Sequence, residues 1–157
     1  MGAIASGGVR VLNREVVSRL RISPQQIEKA AAREQIELSR RERLYRGDRP
    51  PVELRGRTVI LVDDGLATGS TMRAAVAAVR KSDPAKVIVA VPAGAPNTCA
   101  DFQTEVDEII CAQTPAPFLS VGAWYLDFRQ VTDEEVREAL EASLPSQTAL
   151  RRHPEAG

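Results

Sequence analysis

Three short apolar, β-rich runs, Thr58–Val62, Lys86–Val91 and Glu108–Ala112, alternate with helical stretches at Ser70–Lys81 and Asn97–Phe102. Strands separated by single helices at this spacing predict a parallel sheet with right-handed crossovers, an α/β fold of the Rossmann-like kind. The apolar run at Thr58–Val62 fits a strand buried on both faces. In such sheets ligands sit at the carboxyl ends of the strands. With 157 residues, 43% of them hydrophobic, the chain has the material for one domain with its own core. We expect that domain over residues 1–144, with a tail at 145–157 whose composition suggests disorder.

Upstream of the first parallel strand, Ser23-Pro24-Gln25-Gln26 reads as a capping box with proline at the first helical position. Ile27, Ala31, Leu38 and Tyr45 then recur near helical spacing, which predicts a long helix from about Pro24 to Tyr45, broken at Gly47–Pro51. A second capping box, Thr132 to Glu135, opens a final helix to Leu144. No apolar run approaches the roughly 18 residues of a membrane span, and Met1–Leu12 lacks the features of a signal peptide. A cytoplasmic protein without membrane contact is the expectation.

Charge excludes more. The 21 basic and 21 acidic residues cancel, so no global field draws nucleic acid or anionic lipid, and an anion site must be local. Cys99 and Cys111 lack CxxC spacing and read as buried thiols of a reducing compartment rather than as a disulfide or zinc site. The one histidine, His153, lies in the tail, which removes Ser-His-Asp, Cys-His and His-ligated metal chemistry.

The segment that carries chemistry is Val59-Ile60-Leu61-Val62-Asp63-Asp64-Gly65-Leu66-Ala67-Thr68-Gly69-Ser70-Thr71, an apolar strand running into two carboxylates and a small-residue turn that opens a helix. Small residues from Ala67 to Thr71 let backbone amides approach a phosphate, and the helix N-terminus adds the positive end of its dipole. The hydroxyls of Thr68, Ser70 and Thr71 are further donors. Asp63 and Asp64 suit sugar hydroxyls, and they can hold Mg²⁺ through water or through the ligand. A Walker-type nucleotidase would need GxxxxGK[ST], and a dinucleotide fold GxGxxG; neither occurs. A receiver domain fits no better, because a phosphate-type loop directly follows Asp64.

Val59–Thr71 resembles the phosphoribosyl-pyrophosphate motif of type I phosphoribosyltransferases at nearly every position, and Met72-Arg73-Ala74-Ala75 resembles the helix that follows it. Gly65 departs from the aliphatic residue usual there. The resemblance implies that Asp63 and Asp64 bind the ribose 2′ and 3′ hydroxyls and that Ala67, Thr68, Gly69, Ser70 and Thr71 bind the 5′-phosphate. More loosely, Gly2–Thr132 resembles a subgroup of predicted bacterial phosphoribosyltransferases. The implied activity is transfer of phosphoribose from 5-phosphoribosyl 1-pyrophosphate to a nitrogenous base, with Mg²⁺ as cofactor and displacement through an oxocarbenium-like state. A nucleoside 5′-phosphate is the other small partner implied, and a homodimer is one assembly it allows.

Two further regions enter through this resemblance. Four of six aromatic residues, Phe118, Trp124, Tyr125 and Phe128, fall within eleven positions, where a flat base would stack. The region is similar to hypoxanthine-guanine phosphoribosyltransferases through Phe118, Val121-Gly122 and Leu126-Asp127-Phe128. This implies base stacking by Phe118, Trp124 and Tyr125, with Asp127 as a Mg²⁺ contact; the competing reading makes the aromatics, Phe128 above all, part of the core. The basic run Arg40, Arg41, Arg43, Arg46, Arg49, Arg55 and Arg57 is most simply a solvated helix face, but the family places basic residues of a pyrophosphate-covering loop here, which would make Arg40 and Arg41 catalytic.

The resemblance leads us to expect a strand-helix-strand unit ahead of the long helix, and we read none in this sequence. Ser6-Gly7-Gly8 could stand in for the pyrophosphate loop, with nothing upstream to form its supporting strand. Three other functions therefore stay open: a regulatory protein binding the same ligand or a nucleotide without catalysis, a phosphatase-like hydrolase, and an inactive remnant.

Overall fold

Residues 2–143 are described by a computed structural model. The alternating segments form β3 (Thr58–Val62), α3 (Ser70–Arg80), β4 (Lys86–Ala93), α4 (Pro96–Phe102) and β5 (Glu108–Gln113), preceded by β1 (Gly2–Ala5), β2 (Val9–Leu12), α1 (Arg14–Arg19) and α2 (Pro24–Arg46) and followed by α5 (Asp133–Ala142). The sheet has the order β3-β4-β5 and is parallel throughout, with Val59 opposite Val87, Leu61 opposite Val89 and Val91 opposite Cys111. Leu144 and the tail expected at 145–157, with His153, lie outside the described residues.

Alternation decides which side chains form the core. Val87, Val89 and Val91 point from the central strand to one face and are 0–3% exposed, under Met72 and Val76 of α3 and Phe102 of α4. Each valine buried there contributes about 1.5–3 kcal/mol. The opposite face is bare: Ile60, Val62 and Ile110 are 59%, 74% and 49% exposed. The strand expected to be buried on both faces is therefore covered on one. Among the described residues it is also an edge strand, paired with β4 alone.

The first twelve residues correct a second expectation. Ser6-Gly7-Gly8 is the turn of an antiparallel hairpin, β1 against β2, and not a loop after a strand of the main sheet. Gly7 and Gly8 both have φ above 70°, the left-handed conformation that glycine adopts without a steric penalty. α3 packs against the hairpin as well as against β3 and β4, and its alanines permit that approach on both sides. α2 carries the expected capping box on Ser23 and Gln26 and touches β1 and α5, burying only Ala31.

A third correction concerns sulfur. Cys99 of α4 and Cys111 of β5 are joined by a disulfide rather than standing as separate buried thiols. CxxC spacing is not needed here, because the β4-α4-β5 crossover sets the two side by side.

Candidate functional site

β3 ends at Val62, and the next two residues emerge from the carboxyl end of the sheet. Asp63 is half-buried, and its Oδ1 accepts the Asp64 amide at 3.0 Å. Burial raises its carboxyl above the ordinary value of 3.8; the Asp64 amide opposes this, and repulsion from the Asp64 carboxylate adds to it. Asp64 is exposed, and its carbonyl accepts the Tyr125 hydroxyl at 2.6 Å. Between the acidic pair and the turn, Gly65 is buried; a Cβ there would lie 2.5 Å from a Val121 methyl. The glycine that departs from the family pattern thus admits the segment that bears the aromatics.

The turn is held by its carbonyls. Leu66, 2% exposed, bridges to the end of β4, its amide donating to Ala93 at 2.9 Å and its carbonyl accepting from Ala95 at 2.8 Å. The Ala67 carbonyl accepts the Thr98 hydroxyl at 2.7 Å, that of Thr68 accepts Arg73 Nη1 at 2.9 Å, and that of Gly69 accepts the Arg73 amide at 2.8 Å. Four consecutive carbonyls are therefore satisfied by the protein. The amides of Ala67, Thr68 and Gly69 meet no protein acceptor among the described residues, and the first-turn amides of α3 lack intrahelical partners by helix geometry. Such a row of donors at a helix N-terminus has the chemistry to take an anion.

Gly69 caps α3 in the left-handed region, φ 72°, and a Cβ there would fall 2.7 Å from the Phe102 ring. The Arg73 guanidinium lies 4.9 Å from the centre of that ring and bonds Glu105 through Nε at 2.8 Å. Thr98, Phe102 and Arg73 support the turn, and motif reading passed over the first two. The only sequence signal for Thr98 is a hydroxyl in the first turn of a Pro-initiated helix.

The aromatic residues do not form one cluster. Phe118 and Trp124 stack with centroids 6.4 Å apart and planes 20° from parallel, while Tyr125 packs against Phe128 at 5.2 Å. Phe128 is half-exposed and lies over Gly122, so it is no core residue. Asp127 is exposed, and its Oδ1 accepts the Arg129 amide at 3.1 Å. Among the described residues no group of three or more His, Cys, Asp or Glu side chains could hold a metal; Asp63 and Asp64 offer two hard oxygen donors. That set fits Mg²⁺, which takes one or two carboxylates and fills its shell with water and substrate phosphate.

Arg40 and Arg41 stand elsewhere in the fold. Arg40 bonds Glu37 at 2.8 Å and Asp133 at 2.7 Å, and Arg41 bonds Glu37 at 2.7 Å. Tyr45 also donates to Asp133, at 2.5 Å. Arg40 and Tyr45 join α2 to α5, while the Arg41 bond stays within α2. Both guanidinium groups hold Glu37 at about 2, well below the ordinary carboxylate range.

Three comparisons agree with this geometry. Residues 3–118 match the family model "Phosphoribosyl transferase domain". Two proteins of Mycobacterium tuberculosis, from strains CDC 1551 / Oshkosh and ATCC 25618 / H37Rv, each named "Putative phosphoribosyl transferase", are 41% identical over 135 residues. That is 86% of this chain and 30% of theirs, so the chain spans under a third of the length of these curated relatives. The crystal structure of TT1426 from Thermus thermophilus superposes with a TM-score of 0.69 at 40% identity, over 88% of this chain and 65% of that one. The parallel sheet, the turn that follows its first strand and these matches together make the chain a member of the phosphoribosyl transferase domain family.

Proposed function

We propose that the protein binds 5-phosphoribosyl 1-pyrophosphate together with Mg²⁺ and transfers phosphoribose to a nitrogenous base. The reading rests above all on the turn itself, where the protein satisfies the four carbonyls of Leu66 to Gly69 while, among the described residues, the amides of Ala67, Thr68 and Gly69 meet no protein acceptor and the Ser70 amide meets only the Thr68 hydroxyl, at 3.5 Å. We take Ala67–Thr71 as the 5′-phosphate site. Asp63 and Asp64 take the ribose hydroxyls and hold the metal, directly or through water. Bound Mg²⁺ supplies charge neutralisation at the leaving pyrophosphate. Burial makes the unliganded Asp63 carboxylate unfavourable, so a cation or a pair of hydroxyl donors stabilises it.

The acceptor stacks on Phe118, Trp124 and Tyr125, with Asp127 near the metal. Ala67 opens the phosphate turn, where hypoxanthine-guanine enzymes carry a proton-exchanging aspartate, and alanine is neither acid nor base. The site accordingly does not favour 6-oxopurines; an adenine-like base or an unrelated amine suits it better. The engagement of Arg40 and Arg41 by Glu37 and Asp133 and the hairpin position of Ser6–Gly8 favour a second reading, ligand binding without transfer.

Thermal unfolding with phosphoribosyl pyrophosphate and Mg²⁺, followed by a pyrophosphate-release assay over a panel of bases, tests both. A ligand that binds only the native state raises the midpoint. A raised midpoint with release of pyrophosphate supports transfer, and a raised midpoint without release supports binding alone. No shift overturns both, and robust turnover of hypoxanthine or guanine overturns the acceptor assignment.

A further inference from the structure

The disulfide lies directly behind the phosphate turn. A Cβ at Gly94 would clash with Cys99 Sγ and lie 3.3 Å from both Cys111 Sγ and Leu66 Cβ, so the sulfurs press on the turn after β4. That turn holds Leu66 through Ala93 and Ala95. On the α4 side, Cys99 adjoins Thr98, whose hydroxyl holds the Ala67 carbonyl. The attachments of Leu66 and Ala67 to their supports thus run through residues next to the Cys99–Cys111 bond, while Arg73 holds the Thr68 carbonyl independently.

The bond is also reachable. Cys99 is 7% exposed and Cys111 more so, and a surface cleft lined by Pro96, Cys99, Ala100, Gln103, Ile109 and Cys111 opens onto them. Of the two sulfurs, that of Cys111 belongs to the less buried residue.

We propose that Cys99–Cys111 is a thiol-exchange site for a low-molecular-weight monothiol, and that opening it loosens the phosphate turn. The monothiol thiolate attacks Cys111 Sγ, a sulfur–sulfur bond forms between them, the Cys99–Cys111 bond breaks, and Cys99 leaves as a thiolate that takes a proton from water. A second monothiol thiolate attacks the adduct's outer sulfur, forming the symmetrical small disulfide and releasing Cys111 as a thiolate. The same small disulfide, acting in reverse, closes the bridge again. In the open form Thr98 and Gly94 lose the covalent restraint behind them, so the Ala67 and Leu66 bonds are made less of the time. The coupling to ligand rests on the phosphate reading proposed above.

The test uses the whole protein closed with oxidised 2-mercaptoethanol, then exposed to limited 2-mercaptoethanol or to excess dithiothreitol. Peptide mass spectrometry should find the 99–111 link first and the monothiol adduct mainly on Cys111. Failure to close the bridge, or an adduct mainly on Cys99, overturns the exchange site. Inorganic phosphate should bind the closed form roughly three- to tenfold more tightly, the scale of one hydrogen bond, and Cys99→Ser and Cys111→Ser should behave like the reduced protein whether or not dithiothreitol is present. Equal phosphate protection of both forms overturns the coupling. If phosphate protects neither, the phosphate reading fails, and the coupling is judged on amide exchange at residues 66–71: faster exchange on reduction supports it, and unchanged exchange overturns it.

Discussion

The Tyr125 hydroxyl donates a 2.6 Å hydrogen bond to the Asp64 carbonyl, 61 residues earlier in the chain. It fastens the aromatic segment to the backbone of the acidic pair rather than to either carboxylate. Tyr125→Phe keeps the ring on Phe128 and removes only the donor. It should lower unfolding stability by about 0.5–1.5 kcal/mol and reduce the stabilisation conferred by phosphoribosyl pyrophosphate, both read from denaturation midpoints. No change in either would show that the bond positions nothing.

Gly69 has two reasons to be glycine, its φ of 72° and the Phe102 ring where a Cβ would go. Left-handed backbone alone costs an alanine about 1–2 kcal/mol. Gly69→Ala should therefore destabilise the protein by at least that amount and abolish protection by inorganic phosphate. Phe102→Ala removes the fully buried ring itself and should cost about 3–5 kcal/mol in chemical denaturation.

Elements with a strong period or cap are legible in the sequence. The capping boxes at Ser23 and Thr132 locate α2 and α5 to within a residue at their starts, and β3 matches Thr58–Val62. The hairpin is not, although Gly-Gly between short apolar runs is a turn signal; at four residues each, its strands carry too little alternation to stand out. Within the site, Asp63, Asp64 and the turn can be found because they are contiguous. Thr98 and Tyr125 act on backbone carbonyls of Ala67 and Asp64, and a side chain that serves a distant carbonyl leaves no spacing to read.

Asp63 sets a pH dependence. Its folded value is raised above 3.8 by burial, so over the window between the two values the native state holds a proton that the unfolded chain has released. Stability falls as pH rises through that window, and the penalty is present in full above it. Asp63→Asn should be more stable than the parent at pH 7, with the advantage vanishing below pH 3.8. The double change with Asp64→Asn should fold at least as well and lose affinity for Mg²⁺ and phosphoribosyl pyrophosphate. A double variant that fails to fold would make the pair structural.

The α2–α5 joint titrates in the opposite sense. Tyr45 and Arg40 hold Asp133 below its ordinary 3.8 through their hydrogen bonds, and Arg40 and Arg41 hold Glu37 at about 2 against an ordinary 4.5. Lowered carboxylates stabilise the fold above their unfolded values and lose that contribution as pH falls through the folded ones. Circular dichroism of the parent should show stability declining between pH 4.5 and about 2. Asp133→Asn should remove the part of that decline that Asp133 contributes below pH 3.8, leaving the Glu37 part, and should leave phosphate protection at pH 7 unchanged; loss of protection would tie the joint to the site.

Among the described residues no strand lies beside the outer edge of β3, which carries open backbone donors and acceptors, and its uncovered face is isoleucine and valine. An edge of this kind is a template on which another extended chain can add. The strand that delivers the two aspartates is therefore also a place where copies of the chain can stick to one another, through open backbone groups and the side chains of Ile60 and Val62.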